Sequence, residues 1–210
     1  MAVTTRLPDG SPARPAVFLD KDGTLVENVP FNVDPDRIVL TRGARPALDA
    51  LYRAGFALVV VSNQPGVALG RFQEEALAGV EARLRKLMSP TAFSAFLWCP
   101  HSGTEPRPCA CRKPEPGLLL QAARQLGLDL RRSWMVGDIL DDIQAGRAAG
   151  CRTILVDNGG ETEWRLTNER SPDYRCRTLT GAAELILANR RPTSPPAGTV
   201  VARHVVGERW

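Results

Sequence analysis

One arrangement recurs along this chain and restricts its fold more than any other feature. A short apolar run leads into a polar turn, and then into a helix-length stretch whose apolar residues fall three and four apart. Residues 16–19 form the first run, and 43–54 read as a helix stopped at Gly55. Runs at 57–61, 96–98, 134–136 and 153–156 supply further strands. Residues 72–87, 115–126 (stopped by Gly127) and 141–149 supply the helices between them. Strands joined through helices imply an α/β fold with a mostly parallel central sheet covered on both faces. The intervals between the polar turns are too short for a large cap domain. In such sheets ligands lie beyond the carboxyl ends of the strands. Asp20, Ser62 and Asp138 each fall just past such an end, so they are expected to converge on one crevice.

A chain of 210 residues, 43% hydrophobic and 24% charged, is long enough to bury one core without disulfide staples. Residues 1–15 and 191–210 are rich in Pro, Ser, Thr, Gly and Arg and are expected to be disordered tails around a domain at 16–190. The net charge of +4 is too small and too dispersed to argue for nucleic acid. No apolar run approaches a membrane span, and residues 1–15 lack the apolar core of a signal peptide. A cytoplasmic monomer without nucleic-acid or membrane partners is therefore expected.

The first apolar run leads straight into Asp20-Lys21-Asp22-Gly23-Thr24, where two carboxylates alternate across one residue. Two acids so close repel unless a cation lies between them. Mg2+ suits, because it prefers oxygen and is usually held by one or two carboxylates plus substrate phosphate. Asp-x-Asp-Gly is also a common strand-ending turn, and three further stations bear on the choice. Ser62-Asn63-Gln64 offers a hydroxyl and amides that suit a phosphate oxygen or a helix cap. Arg112-Lys113-Pro114 offers two cations for a transferring phosphoryl group, although such a pair alone is ordinarily a solvated surface feature. Asp138 ends the run Met135-Val136-Gly137 and would complete the magnesium site. Asp142 follows at helical spacing and is placed to orient the others, while acids in a first turn also satisfy the helix macrodipole.

Cys99-Pro100-His101 and Cys109-Ala110-Cys111 gather three sulfurs and an imidazole in one short loop, 99–111. That is a full tetrahedral shell for a closed structural Zn2+ site; incidental buried thiols are the alternative. The loop is polar and proline-rich and cannot bury a core of its own, so a metal is needed to fix it. Five cysteines, an odd number, fit metal binding in a reducing compartment better than a disulfide framework. Cys151 and Cys176 read as ordinary thiols, and Trp98, Trp134 and Trp164 as core or pocket wall. Residues 161–164 are candidates to line the entrance, and His204 has no assigned role.

In order and spacing, the stations at Asp20–Thr24, Ser62–Ala68, Arg112–Pro114 and Met135–Asp138 resemble the four motifs of the haloacid dehalogenase (HAD) superfamily of phosphohydrolases. The resemblance implies a three-layer Rossmann-like fold. It also implies that Asp20 attacks phosphorus to give an aspartyl-phosphate, and that Asp22 protonates the leaving oxygen and later activates water. Ser62 and Lys113 would bind the transferring phosphoryl group. Mg2+ would be held by Asp20, the backbone carbonyl of Asp22, and Asp138. With its Cys-Pro-His and Cys-Ala-Cys-Arg-Lys-Pro segments, the chain is similar more narrowly to the D-glycero-D-manno-heptose 1,7-bisphosphate 7-phosphatase family and the related histidinol-phosphate phosphatases.

That narrower resemblance implies substrate contacts from Asn28, Val29, Pro30 and Phe31, from Ser62, Asn63, Gln64 and Pro65, and from Arg112 and Lys113. The expected substrate is a small phosphorylated sugar losing its 7-phosphate, with an amino-alcohol phosphate such as histidinol phosphate as the alternative. A zinc-stabilised binding module without turnover leaves the complete catalytic set unexplained. Two departures from the family pattern bear on substrate: Ile139 stands where many members have Lys, and the stretch between the zinc ligand pairs is shorter.

Overall fold

Strands β1 (Ala16–Leu19), β2 (Ala57–Asn63), β3 (Ala95–Cys99), β4 (Trp134–Gly137), β5 (Arg152–Val156) and β6 (Tyr174–Cys176) form one sheet in the order β3-β2-β1-β4-β5-β6. Every pairing is parallel. The computed structural model describes residues 13–106 and 108–190. Most of both expected tails, including the proline run after Arg191 and His204, lies outside the described residues. The N-terminal boundary at residue 15 needs correction. Ala13 is buried, the Arg14 N–H donates to the Gly127 carbonyl, and the Pro15 carbonyl accepts from Ala57, so residues 13–15 join the folded body.

Five helices cover the sheet: α1 (Ala44–Arg53), α2 (Ala76–Met88), α3 (Gly117–Leu126), α4 (Leu140–Ala148) and α5 (Leu179–Ala188). Alternate strand residues feed two separate cores, as the period of two requires. Val17 and Leu19, with Leu58 and Val60, pack against residues of α1, α2 and α5. Ala16 and Phe18, with Val59 and Val61, pack against Leu118, Leu119 and Ala122 of α3 and Ala145 of α4. Both faces are covered, which is why these strands are apolar throughout rather than alternating. Full burial of each large side chain stabilises by roughly 1.5–3 kcal/mol, so the central strands are the firmest support available to any residue at their ends.

Several elements differ from expectation. β2 runs two residues further than 57–61, so Ser62 and Asn63 lie within the strand, paired with Trp98 and Cys99, and not beyond its end. α2 begins at Ala76 instead of residue 72. The preceding stretch is spent on turns, including Arg71 N–H to the Gly66 carbonyl and Ala76 N–H to the Gln73 carbonyl. β6 and α5 carried no sequence assignment. β6 has three partly exposed residues and no apolar run, while the start of α5 was marked by Thr178, whose side chain accepts from the Gly181 N–H. Among the described residues, no helix is long and apolar enough to cross a membrane.

Candidate active site

Register brings the site together. Leu19 at the end of β1 lies opposite Val60 of β2 and Val136 of β4. The Asp20 N–H donates to the Val136 carbonyl at 2.9 Å, which fixes Asp20 beside the end of β4 and its successor Asp138. After Asp22 the chain must reverse, and Gly23 does so at φ 84. A Cβ at Gly23 would stand 2.2 Å from Asp138 Oδ2, so only glycine allows this turn to pass over that carboxylate.

Lys113 enters from the segment before α3 and is 2% exposed. Its ammonium binds Asp20 Oδ1, lies 2.6 Å from Asp142 Oδ1 and donates to the Val61 carbonyl at 3.1 Å. Asp142 is fully buried, and its second oxygen accepts from the Ile139 N–H at the start of α4. The Thr24 hydroxyl donates to Asp138 Oδ1 at 3.1 Å. Gln64 donates from Nε2 to both Asp22 Oδ2, at 3.0 Å, and Ser62 Oγ, at 2.8 Å. Lys21 Nζ stands 2.8 Å from Asp22 Oδ1. The expected station residues Asp20, Asp22, Ser62, Lys113 and Asp138 thus meet at one edge of the sheet.

Two expected substrate contacts have other partners. Asn63 donates to the Lys113 carbonyl at 2.9 Å and accepts from the Lys113 N–H at 3.0 Å, so its amide braces Lys113 while the residue also lines the cleft. Arg112 Nη1 donates to the His101 carbonyl at 3.2 Å, which ties it to the cysteine-rich loop. Asn28, Val29, Pro30 and Phe31 form one wall, and Asn63, Gln64 and Pro65 the other, of a cleft of about 230 Å³ that reaches Asp22.

The charge balance of the buried group is uneven. Oxygens of Asp20, Asp138 and Asp142 lie within 4.8 Å of one another, and one ammonium faces them. Burial pushes the Asp20 carboxyl well above its usual range; Lys113 pulls it back, and Asp142, Asp138 and Asp22 push it further up. Burial, and then Asp142, push Asp138 up to about 6, against the Thr24 hydrogen bond. Lys113 is held above its ordinary value: burial acts against the charge, and Asp142 and Asp20 outweigh it. Three acids sharing one cation fit a site that takes a further cation, and an all-carboxylate donor set suits a hard divalent ion.

The second cluster fits a metal equally well. Cys99 Sγ lies 3.7 Å from Cys109 Sγ and 3.1 Å from Cys111 Sγ, and His101 Nδ1 is 3.3 Å from Cys99 and from Cys111. All four donors fall within 4.8 Å of one another, and no disulfide joins the cysteines. Such spacings suit ligands around one tetrahedral ion with bonds of about 2.0–2.3 Å.

Two residues beyond β5 were missed as parts of this edge. Asn158 donates from Nδ2 to the Gly23 carbonyl at 2.6 Å and accepts from the Gly160 N–H, while a Cβ at Gly160 would stand 2.0 Å from Asp138 Oδ2. Glu161, noted only as a candidate at the entrance, accepts from the Leu140 N–H at 2.7 Å. The signal was an apolar strand ending in Asp157-Asn158, the same pattern that marks Asp20 and Asp138.

Known proteins share these features. A family model described as HAD-hydrolase-like matches residues 110–182. The D-glycero-beta-D-manno-heptose-1,7-bisphosphate 7-phosphatase of Mesorhizobium japonicum is 37% identical over 83% of this chain and 80% of its own length. The protein of that name from Escherichia coli K12 is 39% identical over 85% of this chain and 96% of its own. Among solved structures, the D,D-heptose 1,7-bisphosphate phosphatase of B. bronchiseptica, complexed with magnesium and phosphate, superposes with a TM-score of 0.71 at 30% identity, over 83% of this chain and 98% of its own. A putative HAD-like phosphatase from Mesorhizobium loti reaches 0.72 at 33% identity, over 92% and 94%. Identity sustained over most of both chains, on the same fold, makes this phosphatase a member of the D-glycero-beta-D-manno-heptose-1,7-bisphosphate 7-phosphatase family.

Proposed function

We propose that this phosphatase removes the 7-phosphate of D-glycero-β-D-manno-heptose 1,7-bisphosphate through an aspartyl-phosphate on Asp20. One observation carries the proposal. Asp20, Asp138 and Lys113 lie together at the sheet edge, next to a cleft that Asp22 reaches. The names of the relatives supply the substrate.

In the first step a carboxylate oxygen of Asp20 attacks phosphorus, the bond from phosphorus to the sugar oxygen breaks, and that oxygen takes the proton of Asp22. In the second step Asp22, now ionised, accepts a proton from water as the water oxygen attacks phosphorus. The bond between Asp20 and phosphorus breaks, inorganic phosphate leaves, and both side chains return to their starting states. Contrasting exposure supports the division of labour: the Asp20 side chain is 10% exposed beside Lys113, and that of Asp22 is 31% exposed. Gln64 holds Asp22 and Ser62 at a fixed separation, and Asn63 fixes the backbone of Lys113. Mg2+, held by Asp20, Asp138 and the backbone carbonyl of Asp22, would supply the positive charge that lets an anionic nucleophile approach an anionic phosphate. Zn2+, held by Cys99, His101, Cys109 and Cys111, would fix the loop that delivers Arg112 and Lys113.

A cationic amino-alcohol phosphate is less well served. The cleft has a single acid, Asp22, and that residue is committed to proton transfer. The test is a comparison of heptose 1,7-bisphosphate with histidinol phosphate, with and without Mg2+, for the wild type and Asp20→Asn. The wild type should favour the bisphosphate by about 100-fold or more in kcat/KM, the equivalent of roughly 2.7 kcal/mol. Asp20→Asn should abolish turnover of both. Preference for histidinol phosphate would overturn the substrate, and a variant within about tenfold of wild type would overturn the nucleophile.

A further inference from the structure

We propose that Arg71, steadied by Phe31, is the subsite for the second anionic group of the substrate at the mouth of the cleft. The proposal rests on the bisphosphate reading and concerns the end of the substrate that does not react. Only Asp22 among the residues lining the cleft carries a charge, and it is negative. A ligand with a second phosphate therefore needs a cation from just outside that lining.

Phe31 points to where that cation sits. Among the described residues it is the one non-glycine with positive φ, at 55. A left-handed backbone costs an L-residue roughly 1–2 kcal/mol. The side chain gains little burial in return, since Phe31 remains 46% exposed. What this conformation gives it is a place in the cleft wall and a contact with Arg71, whose guanidinium carbon lies 5.6 Å from the ring centroid. Arg71 is in turn anchored to the opposite wall. Its backbone N–H donates to the Gly66 carbonyl at 2.8 Å, closing the turn that follows Pro65.

The residue thus bridges the two walls, its backbone on one and its guanidinium against the other. Among the described residues it has no carboxylate within ion-pair distance and its side chain makes no hydrogen bond. A ring contact engages the flat face of a guanidinium and leaves its edge donors available, in the forked geometry that suits phosphate. An exposed contact of this kind is worth only about 0.5–1 kcal/mol, enough to orient Arg71 without competing with an anion. Arg112 donates one of its N–H groups to the His101 carbonyl and is not part of the cleft lining.

Steady-state kinetics on Arg71→Gln, Arg71→Lys and Phe31→Leu, with heptose 1,7-bisphosphate and with p-nitrophenyl phosphate, which has no second anion, provides the test. In Arg71→Gln the ratio of kcat/KM for the bisphosphate to that for p-nitrophenyl phosphate should fall about tenfold, nearly all of it through KM, as loss of one charge-assisted contact predicts. Arg71→Lys should recover part of the ratio, and Phe31→Leu should fall between. An unchanged ratio in Arg71→Gln, with the wild type still turning over the bisphosphate, overturns the subsite alone. A wild type that hydrolyses p-nitrophenyl phosphate and not the bisphosphate overturns both the subsite and the proposed substrate.

Discussion

Lys113 organises the electrostatics of the site, because one buried ammonium faces both Asp20 and Asp142. Removing it leaves buried carboxylates without their partner, so Lys113→Met should destabilise the protein by about 3–5 kcal/mol and abolish turnover. Adding Asp142→Asn should restore much of the stability and none of the activity, as urea unfolding and assay of the double variant would show. Stability lost equally in the double variant would contradict the pairing. Asp138 gives a second prediction. Its carboxyl is pushed up to about 6 from an ordinary 3.8, so the metal-free folded protein keeps a proton there that the unfolded chain has lost. The contribution of this group to folding therefore declines as pH rises from 3.8 to about 6. A divalent ion must displace the same proton, and any proton held on Asp20, so Mg2+ affinity measured by calorimetry should weaken by at least about tenfold per pH unit below the folded value of Asp138. A flat profile from pH 5 to 7 would contradict a proton held on Asp138 in the metal-free site. At this scale the sequence was legible wherever one residue has one task, as at Asp20 and Asp138. It was not legible at Asn63, whose amide suits a phosphate and a backbone equally well; only the three-dimensional approach of Lys113 reveals its backbone partner.

Elements follow the sequence where the hydrophobic signal is strong. β1, β4 and α3 end where apolar runs, or a left-handed glycine at Gly127, end them. β2 outran its apolar run because Ser62 and Asn63 gain ladder hydrogen bonds from β3, a neighbour that local sequence does not reveal. β6 lies at the sheet edge and is too short for periodicity to register, and α5 follows it unannounced except by its Thr178 cap. Among its described residues the loop between β3 and α3 has no helix or strand, so a metal held by the four donors would fix it. Cys109→Ser should therefore lower bound zinc measured by elemental analysis and reduce kcat through Lys113, with less effect on the sheet cores. Undiminished zinc in that variant would count against the cluster.

For the whole molecule, the order β3-β2-β1-β4-β5-β6 carries most of the functional meaning. The chain builds outward from β1 through β2 to β3, returns to place β4 on the other side of β1, and builds outward again. The crevice at that reversal is where ligands bind in open parallel sheets, and it holds Asp20 from β1 and Asp138 from β4. Alternating strands and helices were enough to anticipate the parallel sheet and its working edge. Strand order was not anticipated, because it depends on which helices share a face: α1 and α5 lie together, far apart in sequence, while α3 and α4 cover the other side. The account depends on Asp20 becoming covalently bonded to phosphorus at that reversal. Rapid acid quench of the enzyme turning over substrate labelled in its 7-phosphate, followed by proteolysis and mass spectrometry, should find the label on the peptide containing Asp20, and none on protein from Asp20→Asn. Label on another residue, or full turnover with none on the protein at any time, would contradict it.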